Sequence, residues 1–122
     1  MRFYCTDDTV DMEQYPYHVR DVHISDPFIL ADPKSRCYYT YVQFADTERF
    51  PDVETDKEHG VFYVLESKDL IHWSKPQICF RQNNFWADKD YWAPEVHIWK
   101  GRYYLFSSFR ADGHYRKCQC LV

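Results

Sequence analysis

The sequence predicts an all-β fold made of short antiparallel strands, and three observations carry that expectation. No window of about 11 residues or more keeps a 3.6-residue apolar period, so no amphipathic helix is expected. Short runs rich in Tyr, Phe, Val and Ile alternate with turn residues. The chain also repeats itself: PFILADPKSRCYYTYVQF at residues 27–44 can be laid over PEVHIWKGRYYLFSSF at residues 94–109. Each copy is a Pro, a short strand, a tight turn and a strand bearing Tyr-Tyr.

Taken in order, the first strand is expected at residues 28–30, after Pro27 and before the turn Asp32-Pro33-Lys34-Ser35. A second follows at 37–44. The acidic stretch DTERFPDVETDKE at 46–58 has no periodic apolar face and reads as a solvated loop. Strands at 61–66 and 77–80 flank the turn Ser67-Lys68-Asp69, and strands at 95–99 and 102–109 flank Lys100-Gly101. Ala111-Asp112-Gly113 turns the chain into a last strand at 115–121. The two copies are offset by 67 residues from Pro27 to Pro94 and by 65 from Tyr38 to Tyr103. That is the size of a β-propeller blade of three to four strands, on the long side. Duplicated halves of a β-sandwich are the alternative.

Composition narrows the function classes. Lys and Arg number 15 against 19 Asp and Glu, a net charge of −4, which argues against a nucleic-acid partner. Leu, Ile, Val and Phe lie above the level at which chains fail to fold. No apolar run approaches the length of a membrane span, so neither a membrane partner nor insertion is expected. The start, MRFYCTDDTVDMEQ, is acidic where a signal peptide would be basic and then apolar. With 5 cysteines, an odd number spread along the chain, this predicts reduced thiols in a cytoplasmic protein. Cys118 and Cys120 have no C-x-x-C partner, and the 6 histidines form no H-x-x-x-H or H-E-x-x-H pair, so no metal site is assigned. The 11 Tyr, 9 Phe and 4 Trp stand out. Tyr38, Tyr39, Tyr103 and Tyr104 alternate on paired strands and are expected in the core, as is Trp73.

The segments SDPFILADPKSRCYYTYVQF, GVFYVLESKDLIHW and FWADKDYWAPEVHIWKGRYYLFSSF, in this order and spacing, closely resemble the N-terminal part of family 43 glycoside hydrolases. These are five-bladed β-propeller arabinofuranosidases, xylosidases and arabinanases. D-P-F-I-L, S-K-D-L-x-x-W and W-A-P-E are common motifs singly and specific as an ordered set. The resemblance runs over residues 22–122 and implies a partial five-bladed propeller, with blades 1 and 2 present and residues 1–21 as an N-terminal segment. It implies a carbohydrate substrate, and no cofactor is assigned. It also implies inverting hydrolysis by carboxyl groups around a central channel, with base and acid roughly 6.5–9.5 Å apart so that a water fits between. A third carboxylate keeps the acid protonated.

Residue by residue, the resemblance puts the general base at Asp26, with Ser25 where many members carry Arg. The other reading of Asp26 is a strand-opening Asp-Pro, with the backbone before Pro27 extended. Glu95, where the family commonly has Asp, falls on the carboxylate that tunes and orients the acid; a strand-opening Glu on the rim is the alternative. The general acid belongs to a later blade, and no residue here matches its motif. Around these positions, Trp86 and Trp92 are candidate sugar-stacking residues, Trp86 being the better candidate and Trp92 reading more readily as packing between blades. Asp90, and beside it Asp88, can accept from sugar hydroxyls, solvated loop carboxylates being the commoner reading. His97 shares strand parity with Glu95 and can face the channel, a hydrogen-bonded core histidine being the commoner reading. A non-catalytic carbohydrate-binding propeller domain is the competing function, and a related sugar-active propeller enzyme, such as a fructan hydrolase or glycosyl phosphorylase, is a third. At about 1.8 repeat lengths the chain is expected to be a fragment, marginally stable alone and without turnover, because fewer than about three repeats seldom bury their faces.

Overall fold

The computed structural model describes residues 10–22, 24, 26–43, 48, 51–54, 61–81, 85–113 and 117–121. Ser25, Phe44, most of the acidic 46–58 stretch and residues 115–116 of the last expected strand lie outside the described residues. The strands are β1 (Tyr17–His18), β2 (Phe28–Asp32), β3 (Cys37–Val42), β4 (Val61–Ser67), β5 (His72–Trp73), β6 (Gln77–Arg81), β7 (Lys89–Trp99), β8 (Arg102–Arg110) and β9 (Lys117–Leu121). One turn of 3-10 helix spans Val19–Asp21. The expected strands all appear, but β7 starts well before Glu95. The short β1 and β5, which pair Tyr17 with Trp73 and His18 with His72, were not anticipated.

One sheet runs β1-β5-β4-β3-β2, with β6 also on β4, and the other runs β7-β8-β9. β2-β3-β4 and β7-β8-β9 are antiparallel meanders, the N-terminal β1 returns to pair with β5 at the far edge of the first sheet, and the edge strands β2 and β7 lie against one another. Two meanders stacked with their first strands adjacent are two neighbouring propeller blades.

Side chains in the turns explain two of the motifs. Asp32 closes the β2–β3 hairpin: its Oδ1 accepts from the Lys34 N–H at 2.9 Å and its Oδ2 from the Ser35 hydroxyl at 3.0 Å. After β4, the Ser67 hydroxyl accepts from the Leu70 N–H at 2.9 Å. Asp69 Oδ1 accepts from the N–H groups of Ile71 and His72 at 2.8 and 2.7 Å, and its Oδ2 meets His72 Nδ1 at 2.7 Å. Burial pushes the Asp69 carboxyl up, but these donors outweigh it and hold it below its ordinary value. S-K-D-L-x-x-W is thus a turn whose Ser and Asp satisfy the backbone and deliver Trp73, 4% exposed, into the core.

The first blade has two apolar faces. Tyr38, Val42, Val61, Tyr63, Leu65 and Trp73 form one cluster, packed by Val22, Ile24, Val53 and Ile78. On the other face Phe62 meets the second blade in a cluster with Ala87, Tyr91 and Phe109, flanked by Phe80, Phe85 and Leu105. Here lies much of the aromatic excess: Phe62 is 5.6 Å from Tyr91 and 5.9 Å from Phe109, and Tyr91 is 5.0 Å from Phe109, edge to face. Burial pushes the Tyr91 hydroxyl up to about 12, and it donates to the Ala87 carbonyl at 2.5 Å. The expectation for the Tyr pairs needs correction. Tyr38 is buried, Tyr39 and Tyr104 are half-buried, and Tyr103 is 42% exposed.

Tyr103 instead ties the blades together. Its hydroxyl donates to Asp32 Oδ2 at 2.7 Å, across 71 residues of sequence. Burial of Asp32 works to raise its carboxyl, but the Tyr103 hydroxyl, the Lys34 N–H and the Ser35 hydroxyl and N–H prevail and lower it. The folded value lies below the unfolded one. This stabilisation is therefore fully present above the unfolded value of about 3.9 and is lost as pH falls through the lower folded one. Tyr103→Phe is expected to lower stability at pH 7 by about 1–2 kcal/mol and to leave a shallower acid limb. Urea unfolding at pH 7 and at pH 3 checks both, and equal losses at the two pH values would contradict the tie.

Thr40 makes the opposite case. It is 1% exposed, and its hydroxyl has no hydrogen-bond partner among the described residues. Thr40→Val keeps the shape and removes the stranded hydroxyl, so stability is expected to rise by about 1 kcal/mol. A lower urea midpoint would contradict this.

Candidate functional site

Asp26 sits at the entrance to β2, exposed, in a bend with φ of 48°. This is left-handed backbone, where the Pro27 rule led to an extended one. Asp is among the few residues other than Gly that visit this region, at a cost of about 1–2 kcal/mol. The bend takes the backbone at Asp26 off the line of β2.

Glu95 owes its position to two irregularities in β7. Lys89 pairs with Arg110, Trp92 with Ser108 and Glu95 with Phe106, so the register slips by one residue twice. Each slip is a β-bulge, an extra residue that re-aims the side chains beyond it. Asp90 at φ 53° and Ala93 at φ 50° provide the left-handed backbone at the two bulges. Pro94, which has no N–H to give to a ladder, is tolerated beside the second. The backbone groups there find other partners: the Trp92 carbonyl accepts from the Ser107 hydroxyl at 2.6 Å, and the Ala93 N–H donates to Gln43 Oε1 of the first blade at 3.2 Å.

Because Arg110, Ser108, Phe106, Tyr104 and Arg102 alternate onto one face of β8, their partners Lys89, Trp92, Glu95, His97 and Trp99 share that face. Tyr91, Pro94 and Val96 are buried instead. Glu95, His97, Trp99, Tyr104 and Phe106 line an open concavity of about 700 Å³. His97 Nε2 lies 3.0 Å from Glu95 Oε2. Its ring stands 5.2 Å from that of Phe28 on β2 and 5.8 Å from that of Phe106. Phe28 follows Asp26 by two residues, so the His97 ring bridges the strand that bears Glu95 to the strand that Asp26 opens.

The other candidates lie elsewhere along β7. Trp92, 44% exposed, shares the Glu95 face but does not line the concavity. Trp86, 37% exposed, sits before β7 against Phe85 at 5.6 Å, with Lys117 Nζ 5.4 Å from its ring. Asp90 Oδ2 is paired with Arg110 Nε at 2.6 Å, and Asp88 is exposed, its N–H donating to the Arg110 carbonyl at 3.2 Å. The structure therefore brings Glu95 and His97 together and leaves Trp86 and Asp90 at the opposite end of the strand.

Sequence reasoning missed Trp99, Tyr104 and Phe106. Trp99 was accessible from the alternation of Glu95, His97 and Trp99, whereas the other two needed the pairing with β8. Trp99 is 60% exposed, with Lys100 Nζ 4.4 Å from its ring. A carboxylate, an imidazole and aromatic faces on one surface can hold a small polyhydroxylated ring, with hydroxyls on the polar groups and C–H faces on the aromatics. Among the described residues no three His, Cys, Asp or Glu side chains gather to hold a metal ion.

Comparison with known proteins agrees with this architecture. The sequence model of glycosyl hydrolases family 43 matches residues 18–122. Among solved structures, the endo-arabinase from Bacteroides thetaiotaomicron VPI-5482 is similar, with 31% identity and a TM-score of 0.70. The match covers 87% of this chain and 33% of that one, so the chain spans about a third of the length of that relative. No match was found among curated proteins.

Proposed function

Because this chain belongs to glycosyl hydrolases family 43, we propose that it contributes to an inverting hydrolase of arabinose- or xylose-containing plant polysaccharides or oligosaccharides. Asp26 is the general base and Glu95 the carboxylate that tunes and orients the acid. The observation that carries this reading is the exposed Glu95 on β7, joined through His97 to β2, the strand that Asp26 opens. The similarity to an endo-arabinase favours arabinose-containing chains as substrate.

In such a mechanism Asp26 takes a proton from water as it attacks the anomeric carbon from one face. A protonated carboxyl on the other face gives its proton to the leaving oxygen. In that role a carboxylate at Glu95, placed near the acid, disfavours the acid's ionisation. Trp92, Trp99 and the rings of Tyr104 and Phe106 offer stacking surfaces for sugar. No residue of the 122 matches the family's general-acid motif, so turnover by these two blades alone is not expected.

The test, on a form of the protein that carries the complete propeller, is product analysis with arabinan, arabino-oligosaccharides and aryl arabinofuranosides and xylosides, following the anomer first released by NMR. Release of the inverted anomer supports the reading, and first release of the retained anomer would overturn it. A non-catalytic sugar-binding role, favoured by the exposed aromatic lining, predicts calorimetric binding of arabino- or xylo-oligosaccharides by the intact protein with no product at all.

A further inference from the structure

His97 was a candidate sugar contact, but its surroundings give it other work. We infer that His97 is a positioning residue that fixes the Glu95 carboxylate, an inference that rests on the proposed role of Glu95. A Glu side chain has one more torsion than the Asp common at this position, so an unrestrained Glu95 would spread its carboxylate over several rotamers. Glu95 and His97 are separated by one residue on the same face of β7, which brings His97 Nε2 to 3.0 Å from Glu95 Oε2. An ionised carboxylate only accepts, so Nε2 carries the hydrogen and donates it.

The donor is itself held. Phe28 of β2 lies on one side of the imidazole at 5.2 Å, and Phe106 of β8 packs edge to face at 5.8 Å. Both side chains of the pair are 53% exposed, so the bond adds little to stability. Its consequence is directional. The ring takes its place from packing between the two blades and passes that place to the carboxylate, so Glu95 is aimed by the blade interface as well as by its own strand. Positioning of this kind decides rates, since a misplacement of about 1 Å can cost on the order of 100-fold.

The test has two arms on the full-length protein. Long-range nitrogen–proton NMR of the His97 ring is expected to show hydrogen on Nε2, and Glu95→Ala should move the Nε2 chemical shift as the hydrogen bond is lost. In kinetics, His97→Phe keeps the ring packing and removes the donor. It is expected to lower kcat about tenfold with KM within twofold, while His97→Gln, whose amide nitrogen reaches a similar position, restores most of the rate. An Nδ1–H tautomer, or an Nε2 chemical shift unaffected by Glu95→Ala, would overturn the inference. So would a His97→Phe effect confined to KM, which is the mark of a sugar contact. If the wild-type protein hydrolyses no glycoside, the hydrolase reading fails while the NMR arm still decides the pairing.

Discussion

Asp26→Ala, in a form of the protein that carries the complete propeller, is expected to lower kcat for glycoside hydrolysis by about 1000-fold while KM stays within a few-fold, because a positioned general base contributes roughly 100- to 10,000-fold to such reactions. On the proposed mechanism the Asp26 carboxylate acts on water, not on the bound sugar, so binding of substrate is largely retained and the loss falls on the chemical step. The left-handed backbone at Asp26, φ 48°, complicates the Ala variant, since Ala tolerates that conformation less well than Asp. Asp26→Asn is the better companion: Asn shares the tolerance for left-handed backbone, keeps the size and lacks the negative charge. The two variants are expected to lose activity together, with unchanged near-UV circular dichroism. Wild-type turnover in Asp26→Asn would remove the base assignment, and loss in Ala alone would trace the effect to the bend.

Phe62→Ala is expected to cost about 3–5 kcal/mol, the range for deleting a fully buried aromatic ring. Phe62 is 0% exposed and stands at the junction of the blades, its ring 5.9 Å from Phe80, 5.6 Å from Tyr91 and 5.9 Å from Phe109. A loss of this size is a large part of the roughly 5–15 kcal/mol that holds a typical domain together. Because the rings belong to both blades, Phe62→Ala and Phe109→Ala should be non-additive in a double-mutant cycle, as expected for residues sharing one cavity. Trp99→Ala, on the exposed face, is expected to change stability by no more than about 0.5 kcal/mol. Urea unfolding followed by tryptophan fluorescence measures the Phe variants, and circular dichroism serves for Trp99→Ala. A Phe62→Ala cost below 1 kcal/mol would contradict the packing described.

Three motifs signalled the family, and they differ in how far their residues could be understood from sequence. D-P-F-I-L was legible as the start of an inner strand because Asp, Pro and an apolar run act locally. S-K-D-L-x-x-W was legible as a motif but not as a device. Its Ser67 and Asp69 hydrogen bonds are short-range, and only their geometry shows that they organise a turn that seats Trp73. W-A-P-E was the least legible. Strict alternation puts Trp92 and Glu95, three residues apart, on opposite faces of β7, whereas the bulge between them puts both on one face. That bulge draws on Ser107 and on Gln43 of the other blade.

The sequence by itself determined the all-β class, the repeat, the order of the strands and the types of residue available for chemistry. Each follows from a preference that acts within a few residues: apolar alternation, turn chemistry, and the spacing of Tyr-Tyr strands about 66 residues apart. Tertiary structure alone decided which of those residues meet. Tyr103 left the expected core to reach Asp32, Asp90 was taken by Arg110, and Glu95 was turned to His97 and, through its ring, to the strand that Asp26 opens. The reason is that strand register and blade contact are set by partners 15 to 71 residues away, and a one-residue slip in register reverses the face of every side chain beyond it.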